Sequence, residues 1–491
     1  MCRSDSRASF GLLRCSRGLS QNRTMLYSNR MRPSGVRRSM FSVLLSFGIF
    51  ALLASPACGQ TSNSLESLLA RADSANPSLQ AGRDRVTAAA ARVGPAGTWA
   101  DPMLMAGILN QPLGNENAAS VGGHGSTGPT VPGDPMTMKM IGVSQTIPYP
   151  GKLSLRRQAA EREVEAARAN LDASRLAVTR DVRTAFFELA YIDRALAIVE
   201  RNRSVLADVI QVTEAHYAAG TGGEQDVLKA RVEAARLGET ASALLEERRA
   251  TSAELNATLN RDDTTSIPSA LIPERIVQAA IPTDPNSVRF ATQTLGARTV
   301  DSPFPPLAEL QDLAVRQNPS LRENEANIAA QTSRVELARK GSRPDFDVSL
   351  QYGQRNQRPD MITAEVSIPL PIHKGARQDQ ELAEARADLS ATESDRRAKI
   401  NSVRAQVARL VSQLERGRTQ LAIYAKAILP QGGAAATAAL ASYQSGKTDL
   451  LSVLDNQNTL FIYETEYYRS LSDFAKNLAE LEQVVGSEIL R

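Results

Sequence analysis

The sequence contains the same series of landmarks twice, and this duplication limits the folds that it can adopt. Three motifs recur in the same order: Asn-Pro-Ser-Leu at 76–79 and 318–321, Ile-Pro-x-Pro at 147–150 and 368–371, and Tyr-x-x-Gly at 217–220 and 443–446. Chance does not preserve three landmarks in order. The 491-residue chain is therefore predicted to be a tandem duplication of a unit of about 230 residues.

Each repeat is predicted to fold as a helix, a β-hairpin, a very long helix, a tip and a returning helix. Between Gly151 and Tyr217 there is no proline and no further glycine, and Ala, Leu, Glu and Arg dominate. A helix of about 65 residues would be roughly 100 Å long. The glycines of the Tyr-x-x-Gly motifs allow each helix to stop and reverse. In the second repeat, we expect Pro430 to interrupt the long helix.

These patterns predict four segments. They are a signal peptide with an over-long basic leader (1–59), a first repeat (60–258, with a β-hairpin at about 102–148 and a tip at about 217–226), an equatorial linker (259–306) and a second repeat (307–491, with a β-hairpin at about 345–369 and a tip at about 443–455).

The leader has the three parts of a secretory signal. Residues 1–38 carry nine arginines and one aspartate, residues 40–54 are apolar, and small residues surround Cys58. Removing these nine positive charges and one negative charge changes the formal net charge from +4 to −4, which argues against nucleic-acid binding. Cys58 is a candidate for lipidation, and ordinary cleavage after Ala57 or Gly59 is the alternative.

The hairpin of the second repeat alternates strictly between polar and apolar residues. Asp345–Tyr352 and Thr363–Ile368 place Phe346, Val348 and Leu350 on one face and polar residues on the other. A half-buried hairpin of a soluble protein is the ordinary interpretation. However, two hairpins give four strands, which cannot close into a barrel. Three chains would supply twelve strands with an apolar outside and a wet inside.

Motifs of common enzymes, such as GxxxxGK[ST], GxSxG and HExxH, do not occur in the sequence, so an enzyme is not expected. The three histidines, His124, His216 and His373, are scattered without cysteine or carboxylate at metal-ligand spacing. We therefore expect no bound metal and no cofactor.

The export signal, the duplicated layout, the Ile-Pro-x-Pro motifs and the Tyr-x-x-Gly tips together resemble the TolC-type outer-membrane efflux factors, over about Leu65 to Leu490. This resemblance implies a mainly α-helical tube with a small β-barrel part, in which three protomers form a twelve-stranded outer-membrane barrel and a periplasmic helical tunnel. It also implies a passive duct whose partners are a periplasmic adaptor, an inner-membrane RND-type pump and outer-membrane lipid. A multidrug or type I secretion duct is an alternative, and a periplasmic coiled-coil scaffold without a pore is a rival from another class.

The same resemblance implies a periplasmic gate at the tips. Carried over by position, the gate comprises Tyr217, Asp226, Tyr443, Thr448 and Asp455. Thr448 stands where an Arg partner can occur in the family, so a complete charge-paired latch is not expected. Asp226 and Asp455 can also be read as solvated carboxylates in the first turns of the returning helices, where a negative charge is favourable.

The amino-acid sequence of the hairpins resembles that of the heavy-metal (CzcC/CusC-like) branch of the family, for example in MIGVSQTIPYPGKLSLR. Five methionines lie at strand spacing in the first hairpin: Met103, Met105, Met136, Met138 and Met140. Aligning the hairpins puts Met103 at the position of Asp345 and Met140 at that of Met361, which predicts that all five line the lumen. Thioethers suit Cu(I) or Ag(I), whereas flexible apolar filler is the alternative.

Overall fold

In a computed structural model of the protein, the described residues are 65–109, 137–281, 303–355 and 358–490. The predicted signal peptide, Cys58, His124 and Met136 lie outside these ranges. Within them the chain forms ten α-helices and four β-strands. In chain order these are α1 (Leu65–Ala75), α2 (Pro77–Ala96), β1 (Met103–Leu109), β2 (Met138–Ile147), α3 (Lys152–Ala218), α4 (Glu224–Thr258), α5 (Glu274–Ala280), α6 (Leu307–Gln317), α7 (Pro319–Arg339), β3 (Phe346–Arg355), β4 (Met361–Ser367), α8 (Gln378–Ile423), α9 (Leu429–Gln444) and α10 (Leu450–Val485).

The order of elements confirms a mainly helical fold with two similar repeats and a small antiparallel sheet. α3 has 67 residues and is therefore about 100 Å long. Its exposed face carries ion pairs at helical spacing, such as Arg157–Glu161 and Arg162–Glu165, and such pairs support a helix locally. Among the residues that the structure describes, no helix is both long enough and apolar enough to span a membrane.

The predicted interruption of the second long helix at Pro430 is wrong. α8 continues through a π-helical turn, Tyr424–Ile428, directly into α9, whose first turn contains Pro430. Proline has no N–H to donate and its ring crowds the carbonyl of the preceding turn. The π-helical turn widens the helix just before the proline. The chain therefore keeps its direction through a sequence that would end an ordinary α-helix.

Asn76 and Asn318, the first residues of the repeated Asn-Pro-Ser-Leu motif, both cap a helix. The side-chain Oδ1 of Asn76 accepts hydrogen bonds from the backbone N–H of Ser78 (2.9 Å) and Leu79 (3.3 Å) at the start of α2. Asn318 accepts the two equivalent bonds at the start of α7, at the same two distances. The proline that follows each asparagine fits the first helical position, where no N–H is needed.

The amide ends of the same two asparagines close their repeats. Nδ2 of Asn76 donates to the carbonyl of Thr258 at 2.8 Å, and Nδ2 of Asn318 donates to the carbonyl of Val484 at 2.8 Å. Thr258 is the last residue of α4 and Val484 is the second-last residue of α10, and these are the returning helices of the two repeats. One side chain thus joins the first and last parts of each repeat.

The largest hydrophobic core lies where the short helices pack against the middle of the long ones. Its fully buried side chains include Leu68, Phe187, Leu310, Leu410 and Phe474. The described part of the linker joins this core through Ile267, Ile276, Ala280 and Phe304. The buried Arg418 of α8 donates from Nε to the carbonyl of Ala279 at 2.9 Å. The described part of the linker therefore packs as a strap across the core.

The four strands form one antiparallel sheet in the order β1-β2-β3-β4. β2 pairs with β3 from Met138 opposite Arg355 to Ile147 opposite Phe346, so the sheet joins the two repeats. β1 and β4 lie at the edges. In β3 and β4, Val348 faces Val366 on one side of the sheet, as the alternating sequence predicted.

A buried lysine fixes the base of this sheet to the long helix. Lys152, the first residue of α3, is 7% exposed and donates from Nζ to Asp345 Oδ1 (2.8 Å) and to the carbonyl of Arg343 (2.7 Å). Burial alone would raise the pKa of the Asp345 carboxyl. The hydrogen bonds from Lys152 and from the backbone N–H of Tyr149 outweigh it, so this pKa lies below its usual value.

We predict that Asn318→Ala lowers the free energy of unfolding by about 1–3 kcal/mol, because it removes a helix cap and leaves a buried carbonyl without its donor. Asn76→Ala should have a similar effect. Thermal or urea unfolding of the protein in detergent checks this. Asn458→Ala, at an exposed position of α10, is the control and should change stability by less than about 0.5 kcal/mol. Equal stability of Asn318→Ala and the control would contradict the closing role.

Candidate functional site

The two helical tips are built in the same way. Residues 219–223 connect α3 to α4, and residues 445–449 connect α9 to α10. Gly220 and Gly446 have φ values of 71° and 70°, in the left-handed region that favours glycine. A backbone hydrogen bond typical of a glycine-capped helix closes each turn: Thr221 N–H to His216 O and Lys447 N–H to Ser442 O, both at 2.9 Å. Because α3 begins beside the sheet, the first tip lies about 100 Å along α3 from it.

Tyr443 is packed into the first repeat. Only 6% of it is exposed, and its hydroxyl lies 2.9 Å from Thr213 Oγ1 of α3. Its ring lies against His216, with 5.3 Å between the ring centroids. Around it, Leu206, Val209, Ala230, Leu450 and Val453 form a small hydrophobic cluster. Tyr443 thus fastens the second tip to the first within one chain.

The other predicted gate residues are more exposed. Tyr217, which occupies in the first repeat the position of Tyr443, is 51% exposed. Asp455 is exposed, and Asp226 and Thr448 are half-buried. Over the described ranges, neither Asp226 nor Asp455 forms an ion pair. The structure therefore brings Tyr443 into contact with α3 and leaves these carboxylates available to solvent.

Thr213 was not found from the sequence, although a signal was present. Leu206, Val209 and Thr213 follow one another at helical spacing along α3, and all three are buried. A hydroxyl in an otherwise apolar stripe requires a partner. Thr213 satisfies this by donating to the carbonyl of Val209 at 2.8 Å and by bonding to Tyr443.

A second polar contact between the repeats lies about three turns before Thr213 in α3, further from the tips. The buried Asn202 donates from Nδ2 to the carbonyl of Ile198 and accepts at Oδ1 from Gln457 Nε2 of α10 at 2.6 Å. No motif in the sequence identifies this pair. The tips are thus held by two interhelical polar contacts and one hydrophobic cluster.

At the other end of α3, the sheet has one apolar and one more polar face. The polar face carries Ser144, Ser349 and Gln351. The register places Met103 and Met105 opposite Ser144 and Gly142, and Met138 and Met140 opposite Arg355 and Gly353. Four of the five methionines singled out from the sequence therefore share the polar face, and Met136 lies outside the described residues.

The alignment of the two hairpins needs a correction. Met103 of β1 pairs with Ser144 of β2. The residue of the second repeat that is equivalent to Ser144 is Glu365 of β4, and Glu365 pairs with Ser349 of β3. Met103 therefore corresponds to Ser349 and not to Asp345, because the segment between the capping asparagine and the strand is four residues longer in the second repeat. Since the shift is even, it leaves the side of the sheet unchanged.

Histidine, cysteine and carboxylate side chains do not form a group of three or more that could hold a metal ion in the described part of the chain. His216 contacts Tyr443, and His373 lies in the turns that follow β4.

Comparison with known proteins decides the family. Residues 68–261 and 310–487, which include both repeats, match the family model described as outer membrane efflux protein. The chain belongs to this family. It is an efflux channel protein and not an enzyme, in agreement with the resemblance to TolC-type factors.

Two relatives and one solved structure illustrate the range of this outer membrane efflux protein family. Nodulation protein T of Rhizobium leguminosarum bv. trifolii is 24% identical over 341 residues, 67% of this chain and 67% of that protein. Cobalt-zinc-cadmium resistance protein CzcC of Cupriavidus metallidurans is 25% identical over 337 residues, 68% of this chain and 74% of that protein. The structure of the outer membrane protein VceC of Vibrio cholerae superposes with a TM-score of 0.68 at 18% sequence identity. The superposed region covers 87% of this chain and 96% of the VceC chain.

We predict that Tyr443→Phe and Thr213→Val each loosen the tip region of this outer membrane efflux protein, because each leaves the other hydroxyl with one partner fewer. The double variant should cost about 0.5–2 kcal/mol less than the sum of the two, since it removes both groups. Hydrogen exchange of the tip backbone checks this. Tyr217→Phe is the matched control at the exposed equivalent position. Additive effects would argue against a direct bond.

Proposed function

We propose that three copies of this chain form an outer-membrane channel that passively conducts substrate out of the cell in a tripartite efflux system. The observation that carries the proposal is the sheet, which has an exposed apolar face and two unpaired edges. Within the described ranges of a single chain, nothing covers this face and no strand pairs with these edges.

The apolar face suits lipid. On it, Leu104, Leu350, Ile362 and Val366 are between 58% and 75% exposed. A soluble protein rarely leaves a contiguous surface of this kind uncovered. In a membrane the same surface contacts hydrocarbon, and the polar face turns towards a water-filled lumen.

The edges suit closure with other copies. Among the residues that the structure describes, no strand pairs with the outer side of β1 or of β4. Backbone N–H and C=O groups along such an edge cannot face lipid unpaired. If β4 of each copy pairs with β1 of the next, three copies make a closed twelve-stranded sheet and no edge is left. Strand number thus favours the trimer.

The tips suit a gate at the periplasmic end. Three copies would bring three Asp226 and three Asp455 side chains around one axis, where like charges repel. The Tyr443–Thr213 contact at 2.9 Å holds the second tip against the first and favours the closed arrangement. Opening requires this buried contact to break, so Tyr443 and Thr213 act as a latch within each protomer.

The partners follow from the lack of an energy source. No phosphate-binding motif of the GxxxxGK[ST] type occurs in the sequence. We therefore propose an inner-membrane pump of the RND type and a periplasmic adaptor as partners, with the strands in the outer membrane and the long helices in the periplasm.

Heavy-metal cations are the proposed cargo. Support comes from the sequence resemblance of the hairpins to the heavy-metal branch and from the relative that is named a cobalt-zinc-cadmium resistance protein. The methionines on the polar face also support a metal cargo, because thioethers suit soft ions. A multidrug or secretion duct would share the fold and differ in cargo.

The channel is tested by fractionation and conductance. We expect the protein to need detergent for extraction, to migrate as a trimer and to give small or infrequent currents in planar bilayers. Asp226→Asn with Asp455→Asn should lower the open probability, because neutral amides remove the repulsion between like charges that opposes a closed ring. Exposed Asp208→Asn is the control. A protein that washes off membranes with urea, and gives no current in either form, would be a scaffold.

The cargo is tested with a deletion strain. We expect it to lose tolerance to one or more of cobalt, zinc, cadmium, copper and silver, and to regain it from a plasmid copy. A panel of drugs is assayed in parallel. Unchanged metal tolerance with increased drug sensitivity would assign the channel to drug efflux.

A further inference from the structure

Methionine and glycine alternate along one row of the sheet, across all four strands. In this row Gly107 pairs with Met140, Met140 with Gly353, and Gly353 with Met361. Paired residues share a face, so the whole row lies on the polar face. Each methionine here has a glycine neighbour, which has no side chain to compete for the space above the sheet.

Met138 also reaches into this row. Its Sδ atom lies 2.8 Å from the position that a Cβ atom on Gly353 would occupy. The side chain of Met138 therefore bends from its own position opposite Arg355 over the bare backbone of Gly353. Only glycine permits this approach, since an alanine would collide with the sulfur.

Three methionines thus surround Gly353. Met140 and Met361 lie on the two strands that flank it, roughly 10 Å apart across two strand spacings. Methionine has three rotatable bonds, so their thioethers can lean over Gly353 from both sides. Met138 and Met140 are half-buried, whereas Met103 on the same face is 65% exposed.

The nearby charged side chains do not block a cation. Arg355 is adjacent to Met138 in the register, but its Nε donates to the carbonyl of Pro359 at 2.9 Å. Asp360 accepts a hydrogen bond from the backbone N–H of Arg355 at 3.3 Å and places a negative charge at the same end of the sheet.

We propose that Met138, Met140 and Met361 form a thioether site over Gly353 that binds a soft monovalent cation, Cu(I) or Ag(I), on the lumen face of the channel. Uncharged sulfur ligands favour soft ions, whereas zinc prefers thiolate, imidazole and carboxylate ligands. The inference deepens the proposed function, because it makes the polar face a transient station for metal cargo. Each chain would bind one ion at this site, and the trimer would bind three.

The test is Ag⁺ binding to the purified trimer in detergent and chloride-free buffer, by calorimetry and by X-ray absorption at the silver edge. We expect about one Ag⁺ per chain with sulfur neighbours. The triple variant Met138→Leu, Met140→Leu and Met361→Leu should weaken binding at least tenfold. Leucine preserves the size and apolar character of methionine. If the three methionines only fill space, the triple variant should therefore bind Ag⁺ as the wild type does.

Two further variants sharpen the result. Met103→Leu with Met105→Leu alters the same face away from Gly353 and should keep the wild-type affinity. Gly353→Ala should weaken Ag⁺ binding, because its Cβ would displace the sulfur of Met138. Trimer migration and conductance are measured on every variant to show that the channel is intact.

Equal Ag⁺ binding by the wild type and the triple leucine variant would overturn the site, and so would an intact wild-type trimer that binds no Ag⁺. Either result leaves the proposed channel standing if conductance and trimer formation are normal. Loss of trimer or conductance in the wild type would instead contradict the proposed function.

Discussion

The ladder between β2 and β3 is the contact on which the arrangement of the two repeats depends. It runs over ten residue pairs, from Met138 opposite Arg355 to Ile147 opposite Phe346. β2 leads within five residues into α3, and β3 follows α7, so this register sets how the long helix of the first repeat meets the second. Lys152 then locks the junction through Asp345 and the carbonyl of Arg343.

The duplicated design extends this ladder beyond the single chain. Gly142 of β2 faces Gln351 of β3, and the equivalents of these residues in the other repeat are Thr363 of β4 and Met105 of β1. If copies associate as the repeats do, Thr363 faces Met105 of the partner subunit. The proposed closed sheet of three chains then accounts together for the exposed apolar face, the edges of the described sheet and the repeat symmetry.

Much of the fold could be predicted from the sequence because repeated motifs carry local physical requirements. Asn76 and Asn318 cap helices, Gly220 and Gly446 adopt a left-handed conformation, and strict alternation separates the faces of β3. Each of these depends on a few neighbouring residues. A pattern read along the chain is enough to identify them.

The remaining features depend on contacts between distant segments. Pro430 does not end its helix, because a π-helical turn before it relieves the strain. The partner of Tyr443 is Thr213, 230 positions earlier in the chain. The proposed methionine site depends on the strand register, because only the pairing of the strands places Met138, Met140 and Met361 around Gly353.

Cysteine cross-linking of the sheet edges tests the central claim most directly. Thr363→Cys and Met105→Cys are combined in one chain, in a background where Cys58 is replaced by serine, and membranes are oxidised before denaturing electrophoresis. The trimeric closed sheet predicts covalent dimers and trimers that a reductant converts back to monomers. Thr363→Cys alone and Met105→Cys alone should give no cross-linked bands above a random background. Monomers only, from protein that is correctly exported and folded, would contradict the account.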